Sequence, residues 1–180
     1  MPSLESEQLQ RAIHEKVEIT DYDPEWPQRF DAELQRLKQL CGARLSKIEH
    51  IGSTAVPGLP AKPVIDIIAV VPSIDEAESL VKLLCANGYN TSADFNATLK
   101  DKRWLMRQHE GHRTHHLHLV LPQSPEWQNK VRFRDLLRKD PNLRRSYIEL
   151  KRRLADEIGS DREAYTDAKT EFVRNALSAG

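Results

Sequence analysis

The chain predicts an α+β fold: a mixed β-sheet packed with helices, with a helical C-terminal part. Four short runs of strand character, 45–51, 64–71, 103–108 and 115–121, are interleaved with amphipathic helical segments. Everything beyond Pro125 has helical apolar spacing. The 180 residues contain no internal repeat, low-complexity segment or Gly/Ser linker, and they suffice for one core rather than two.

Residues 1–16 are polar and acidic with weak periodicity. They are expected to form a tail or a loosely attached helix ahead of a single domain over 17–180. In that domain Trp26, Phe30, Leu34, Leu37 and Cys41 recur at helical spacing, with Asp23 before Pro24 as the start signal. Residues 45–51 alternate well enough for a strand that ends at Gly52-Ser53-Thr54. The run 64–71 is apolar apart from Asp66 and reads as a fully buried strand. Ser73 with Glu76 three residues on makes a capping box. Ala77, Leu80, Val81 and Leu84 give that helix its apolar face, and Asn87-Gly88 its stop. Two strands then join around Glu110-Gly111 as an antiparallel hairpin. Further on, Tyr147, Leu150, Leu154 and Ile158 share a helical stripe, and Tyr165, Phe172 and Val173 fall in a last helix.

Basic and acidic residues balance at 27 each, so bulk charge gives no reason to expect a nucleic-acid partner. Cys41 and Cys85 lie in helical-looking segments without metal-binding spacing, and are expected as reduced core thiols. No apolar run approaches the roughly 20 residues of a membrane span, and the first sixteen residues lack the apolar stretch of a secretory signal. The expectation is a cytoplasmic protein with no membrane partner.

Chemistry concentrates around Asp66. An acid inside an apolar strand is costly to bury unless something binds it. Twelve residues, 54–65, separate it from the Gly52-Ser53 turn, whose backbone N–H groups and hydroxyl suit phosphate oxygens. A Gly-Ser pair, about a dozen residues and then an acid on a strand resembles the signature of the nucleotidyltransferase superfamily. The blocks DYDPEWPQRF, HIGSTAVPGLPAKPVIDI, LHLV with FRDLLRKDP, and LKRRLA with a later Tyr, Lys and Phe together resemble the GrpB family, also called UPF0157, over residues 17–177. That resemblance implies a nucleotidyltransferase-like α+β fold, in a family with domains fused to dephospho-CoA kinase. It implies a fold and a site more firmly than a reaction.

The pattern departs from the polymerising enzymes of that superfamily at Ile68, where they carry a second acid to grip a metal pair. The strand that would supply a third acid carries His116 and His118 instead, on the face opposite Leu117, Leu119 and Leu121. Asp66 with His116 and His118 is therefore expected to act as base or to hold one divalent ion, with Mn, Ni or Zn favoured over a Mg pair because imidazole is a borderline ligand.

Between Lys130 and Arg153 ten Lys/Arg face three Asp/Glu, a basic excess in a neutral chain. Arg132, Arg134, and Tyr147 with Lys151 one helical turn apart, are expected to close over an anion. His50, Gly52, Ser53, Thr54 and Lys62 complete the expected binding set for an unidentified nucleotide or small phosphorylated molecule. The leading function is phosphate or nucleotide binding, with a nucleotidyltransferase-like transferase as the enzyme form. The alternatives are a metal-dependent hydrolase or other non-nucleotide enzyme built on His50, Asp66, His116 and His118, and a non-catalytic module that senses a nucleotide or binds a partner.

Overall fold

The structure is a computed structural model that describes residues 4–158 and 160–179. In chain order its elements begin with α1 (Leu4–His14), α2 (Trp26–Cys41), β1 (Ser46–Ile51), β2 (Ile65–Val70) and α3 (Ile74–Cys85). Next come a five-residue α4 (Ala93–Ala97), β3 (Lys102–His109), β4 (His112–Val120), α5 (Pro125–Lys139), α6 (Pro141–Ile158), α7 (Arg162–Ala168) and α8 (Thr170–Ala179). The strands form one mixed sheet in the order β1-β2-β4-β3. β2 is antiparallel to β1 and parallel to β4, which makes Asp66 the register partner of His116 and Ile68 that of His118.

Alternation along β2 divides the core in two. Ile65, Ile67, Ala69 and Val71 pack with Trp26, Leu37 and Cys41 of α2 and Ala77, Leu80 and Leu84 of α3. Ile68 and Val70 face the other way and meet Ile51, Val120 and the α5 residues Trp127 and Val131. Asp66 shares that second face, beyond the ground that α5 covers. The expectation of a strand buried on both faces therefore holds for β2 everywhere except Asp66.

Local signals fix the element ends. Ser73 accepts from the Glu76 amide to start α3, while the Glu76 carboxylate turns to Arg44 rather than back to the cap, so half of the capping box forms. Glu110 and Gly111 both adopt positive φ, +53° and +87°, as the tight turn of the β3–β4 hairpin requires. Asp140 accepts from the amides of Asn142 and Leu143 and, with Pro141 behind it, stops α5 and starts α6.

Two expectations change. The first sixteen residues hold a defined helix: Ala12 of α1 is fully buried, and Arg113 of β4 donates to the carbonyls of Ala12 and Ile13. Met1 to Ser3 fall outside the described residues. Cys41 is a buried free thiol as expected, but Cys85 is exposed, because it ends α3 on the side away from the core.

Candidate functional site

The centre of the site is a carboxylate–imidazole pair. His116 Nδ1 lies 2.9 Å from Asp66 Oδ1. An ionised carboxylate only accepts, so Nδ1 carries the proton and Nε2 is left with its lone pair. That Nε2 is buried without a hydrogen-bond partner. Burial pushes the Asp66 carboxyl upward, but the hydrogen bond from His116 and the positive potential of His116, His118 and Lys62 outweigh it and hold the group well below the usual carboxylate range. Burial lowers His116, and although Asp66 opposes that shift, the imidazole stays more reluctant to protonate than usual. At neutral pH the pair is therefore an anion bonded to a neutral imidazole with a basic nitrogen to spare. The Asp66 side chain remains 31% exposed, so the pair faces an opening rather than a sealed core.

Gly52 is fitted to this acid. Its φ of +73° and ψ of −170° belong to a region that glycine alone occupies freely. A Cβ there would stand 2.6 Å from Asp66 Oδ2. The backbone of the Gly-Ser turn thus runs directly against the carboxylate, as close approach to a ligand would also require.

Three lysines from three distant segments gather beside the pair. Lys151 of α6 donates to Ser53 Oγ at 3.2 Å and to the Pro60 carbonyl. Its ammonium lies 5.1 Å from the centre of the Tyr147 ring. Lys62, from the loop before β2, and Lys169, between α7 and α8, both stand over the Tyr165 ring, at 5.5 and 4.3 Å. Burial, then the charges of Lys62 and Arg152, bring Lys151 down to about 7. Burial, then the charges of Lys62 and Lys151, do the same to Lys169, with Asp66 the opposing charge. Cations crowded until they repel one another favour a nearby anion. Neither Lys151 nor Lys169 has a carboxylate partner among the described residues.

On the far side of His116, His118 Nδ1 lies 3.5 Å from Glu126 Oε1, and Glu126 also pairs with Lys102 and Lys130. Trp104 of β3 lies diagonally across from His116 with ring centres 5.4 Å apart. Ile68, at the position of the missing second acid, is fully buried.

The structure brings together Asp66, His116, His118, Gly52, Ser53, Lys62, Tyr147 and Lys151, and sets four expected residues apart. His50 points to the opposite face of β1, stacks on Phe30 and bonds Thr54 Oγ1 at 2.9 Å. Burial lowers its pKa to about 4. Thr54 is buried under the turn and reaches the Val64 carbonyl. Arg134 is spent within the fold, donating to Glu49, Asp135 and the His50 carbonyl. Arg132 is exposed on the outer side of α5, beside a shallow groove with Trp127 and Lys139. Sequence reasoning missed Lys169, Tyr165, Trp104 and Lys130. Only Lys169 and Tyr165 left a signal, as the Tyr and Lys of the late family-like pattern.

The donor set does not fit a resident metal ion. Asp66 and His116, two of the three expected ligands, are bonded to each other. Among the described residues no three His, Cys, Asp or Glu side chains are placed to hold one ion.

The architecture has known counterparts. A GrpB protein of Enterococcus faecalis, of known crystal structure, superposes with a TM-score of 0.73 at 31% identity, over 89% of this chain and 99% of that one. The Cid1 poly(U) polymerase, solved with MgGTP bound, matches 77% of this chain and 44% of its own with a TM-score of 0.51 at 14% identity. That likeness shows the fold alone, which is nucleotidyltransferase-like. A UPF0157 protein of Pseudomonas aeruginosa is 37% identical over 98% of this chain and 72% of its own length. A UPF0157 protein of Bacillus subtilis is 34% identical over 89% of this chain, which spans 46% of that protein's length. A dephospho-CoA kinase of Mycolicibacterium paratuberculosis is 32% identical over 97% of this chain and 47% of its own. The family model for GrpB protein matches residues 16–179, and with these likenesses it assigns the chain to the GrpB family.

Proposed function

We propose that this chain binds a nucleotide or another small phosphorylated molecule and acts on it as a nucleotidyltransferase-like transferase. The observation that carries the reading is the convergence of Lys62, Lys151 and Lys169 on the Asp66 side of the Gly52-Ser53 turn. Phosphate oxygens there would meet the Lys151 and Lys169 ammonium groups, the charge of Lys62 and the Ser53 hydroxyl, and would ease the mutual repulsion that lowers Lys151 and Lys169. Asp66 and His116 supply the chemistry. His116 Nε2 takes the proton of an attacking hydroxyl, Asp66 stabilises the imidazolium that results, and the lysines receive the charge that develops on the phosphoryl oxygens and leaving group.

Calorimetry with a panel of nucleotides and sugar phosphates, followed by product analysis for whichever ligands bind, tests this. Micromolar affinity that falls about ten-fold or more in Lys151→Met and Lys169→Met supports the phosphate site. Turnover lost in His116→Gln with affinity retained supports the transferase. Binding without turnover under any pairing of ligands would leave a sensing module, and no phosphate binding at all would remove the reading.

A further inference from the structure

We infer that Trp104 and Phe95 form a platform for a nucleobase, so that the ligand of the lysine cluster is a nucleotide rather than a simple phosphate ester. The inference rests on the phosphate site proposed above and names the other end of the same ligand. Phe95 is 48% exposed, a large apolar ring left in solvent. It stands edge-on to the Trp104 indole, with ring centres 5.9 Å apart at 90°. Trp104 in turn lies 5.4 Å from His116, whose Nε2 has no partner.

The placement is built. Asn96, buried next to Phe95, reads the Trp104 backbone with its side-chain amide: the Trp104 N–H donates to Oδ1 at 2.9 Å and Nδ2 donates to the Trp104 carbonyl at 3.2 Å. The same Nδ2 meets Thr91 Oγ1 at 2.8 Å. A helix of five residues has little stability of its own, so these bonds fix where Phe95 stands. On the other side the Arg113 guanidinium lies 5.8 Å from the indole centre and is tied to the carbonyls of Ala12 and Ile13. An arginine and two aromatic rings held at one edge of a site suit a flat, electron-rich heterocycle, which stacks without regard to its sequence of donors and acceptors.

The sheet sets the span. Crossing β1-β2-β4-β3 takes three strand spacings, about 14 Å, and because Trp104 is level with His118, Ile68 and Glu49, the Ser53 turn also lies four residues further along the strands, about 13 Å, with Asp66 and His116 between the two ends. A nucleotide with its phosphate chain extended crosses that face, its base on β3 and its phosphates over the turn after β1, which puts the phosphoryl groups beside the pair.

The test compares ATP and UTP with inorganic tripolyphosphate and ribose 5-phosphate by calorimetry on the full chain, in wild type, Phe95→Ala and Trp104→Leu, with circular dichroism to confirm folding. The expected result is nucleotide affinity at least ten-fold above tripolyphosphate in wild type, collapsing to the tripolyphosphate level in both variants while tripolyphosphate itself binds unchanged. Phe95→Ala alters an exposed position and keeps the test valid if Trp104→Leu fails to fold. A protein retaining Trp104 as its sole tryptophan, made by Trp26→Phe and Trp127→Phe, should lose indole fluorescence on binding nucleotide and not on binding tripolyphosphate. Equal affinity for nucleotides and tripolyphosphate in wild type overturns the platform and leaves the phosphate site standing, as does a nucleotide preference that survives Phe95→Ala. Failure of every phosphate ligand overturns both.

Discussion

Gly52 and Asp66 are so closely apposed that a single methyl group on residue 52 would come within 2.6 Å of the Asp66 carboxylate oxygen. Gly52→Ala must therefore displace the acid or the turn, and it also places an L-residue where φ is +73°. The expected outcome is a protein that folds, is destabilised by about 1–3 kcal/mol, and has lost ligand affinity. Denaturant melts and calorimetry on the same preparation check this. Unchanged stability with unchanged binding would show that the turn has room the geometry denies.

The Asp66–His116 hydrogen bond makes a prediction about titration. Asp66 raises the His116 pKa against the downward effect of burial. Asp66→Asn keeps an acceptor at nearly the same place and removes the charge, so the imidazole should titrate at lower pH than in wild type. Histidine NMR across the acid range reads this directly, and an unmoved or raised His116 pKa would mean that the two groups are not coupled.

The lysine cluster predicts opposite effects on stability and binding. Lys151 and Lys169 fall from the usual lysine value to about 7 in the folded chain. Between about pH 7 and the unfolded value near 10.4, the unfolded chain binds more protons than the folded one, so stability rises with pH across that window. Lys169→Met should flatten this rise and stabilise the ligand-free protein at pH 7, while weakening phosphate binding about ten-fold or more. Wild type should take up protons when it binds phosphate near pH 7.5, which calorimetry in buffers of different ionisation enthalpy detects. A flat stability profile in wild type would remove the cluster's repulsion from consideration.

Arg134 separates a structural from a binding role. Its guanidinium joins α5 to β1 through Glu49 and the His50 carbonyl. Arg134→Met leaves that carbonyl and a carboxylate short of a donor and should cost about 1–3 kcal/mol. The variant that remains folded should bind phosphate like wild type. A selective loss of affinity without loss of stability would return Arg134 to the site.

Metal titration completes the set. Because Asp66 and His116 are engaged with one another, Mn²⁺, Ni²⁺ or Zn²⁺ alone should not bind at micromolar levels between pH 6 and 8. Tight binding of any of them to the ligand-free chain, abolished in both Asp66→Asn and His118→Ala, would show that the Asp66–His116 hydrogen bond breaks to coordinate the ion and would reinstate the single-ion reading.

The sheet was legible because strand patterning repeats every two residues and survives in the letters: 64–71 and 115–121 sort their residues onto the two faces that the structure shows. The acid in β2 was legible because it breaks an apolar run. Side-chain partners were not. Arg134 and Lys151 sit in the same basic stretch, yet one is neutralised inside the fold and the other is not, a difference decided by Glu49 and Ser53, 85 and 98 residues away. Trp104 was invisible as a site residue for the same reason, since an aromatic in a strand is ordinary until its neighbour across the sheet is known. α1 was read only as a tail or a loosely attached helix, because the bonds that dock it come from Arg113, 101 residues from Ala12.

The three lysines also impose an order on the birth of the site. Residues up to 120 complete the sheet and bring Asp66 and His116 face to face, but Lys151 and Lys169 arrive only with the helices that close the chain. On the proposed function, a polypeptide emerging from synthesis holds the Asp66–His116 pair well before it holds the lysines that would attract a ligand to it. Binding by that cluster would then report that α6 and the segment between α7 and α8 are in place together with the sheet.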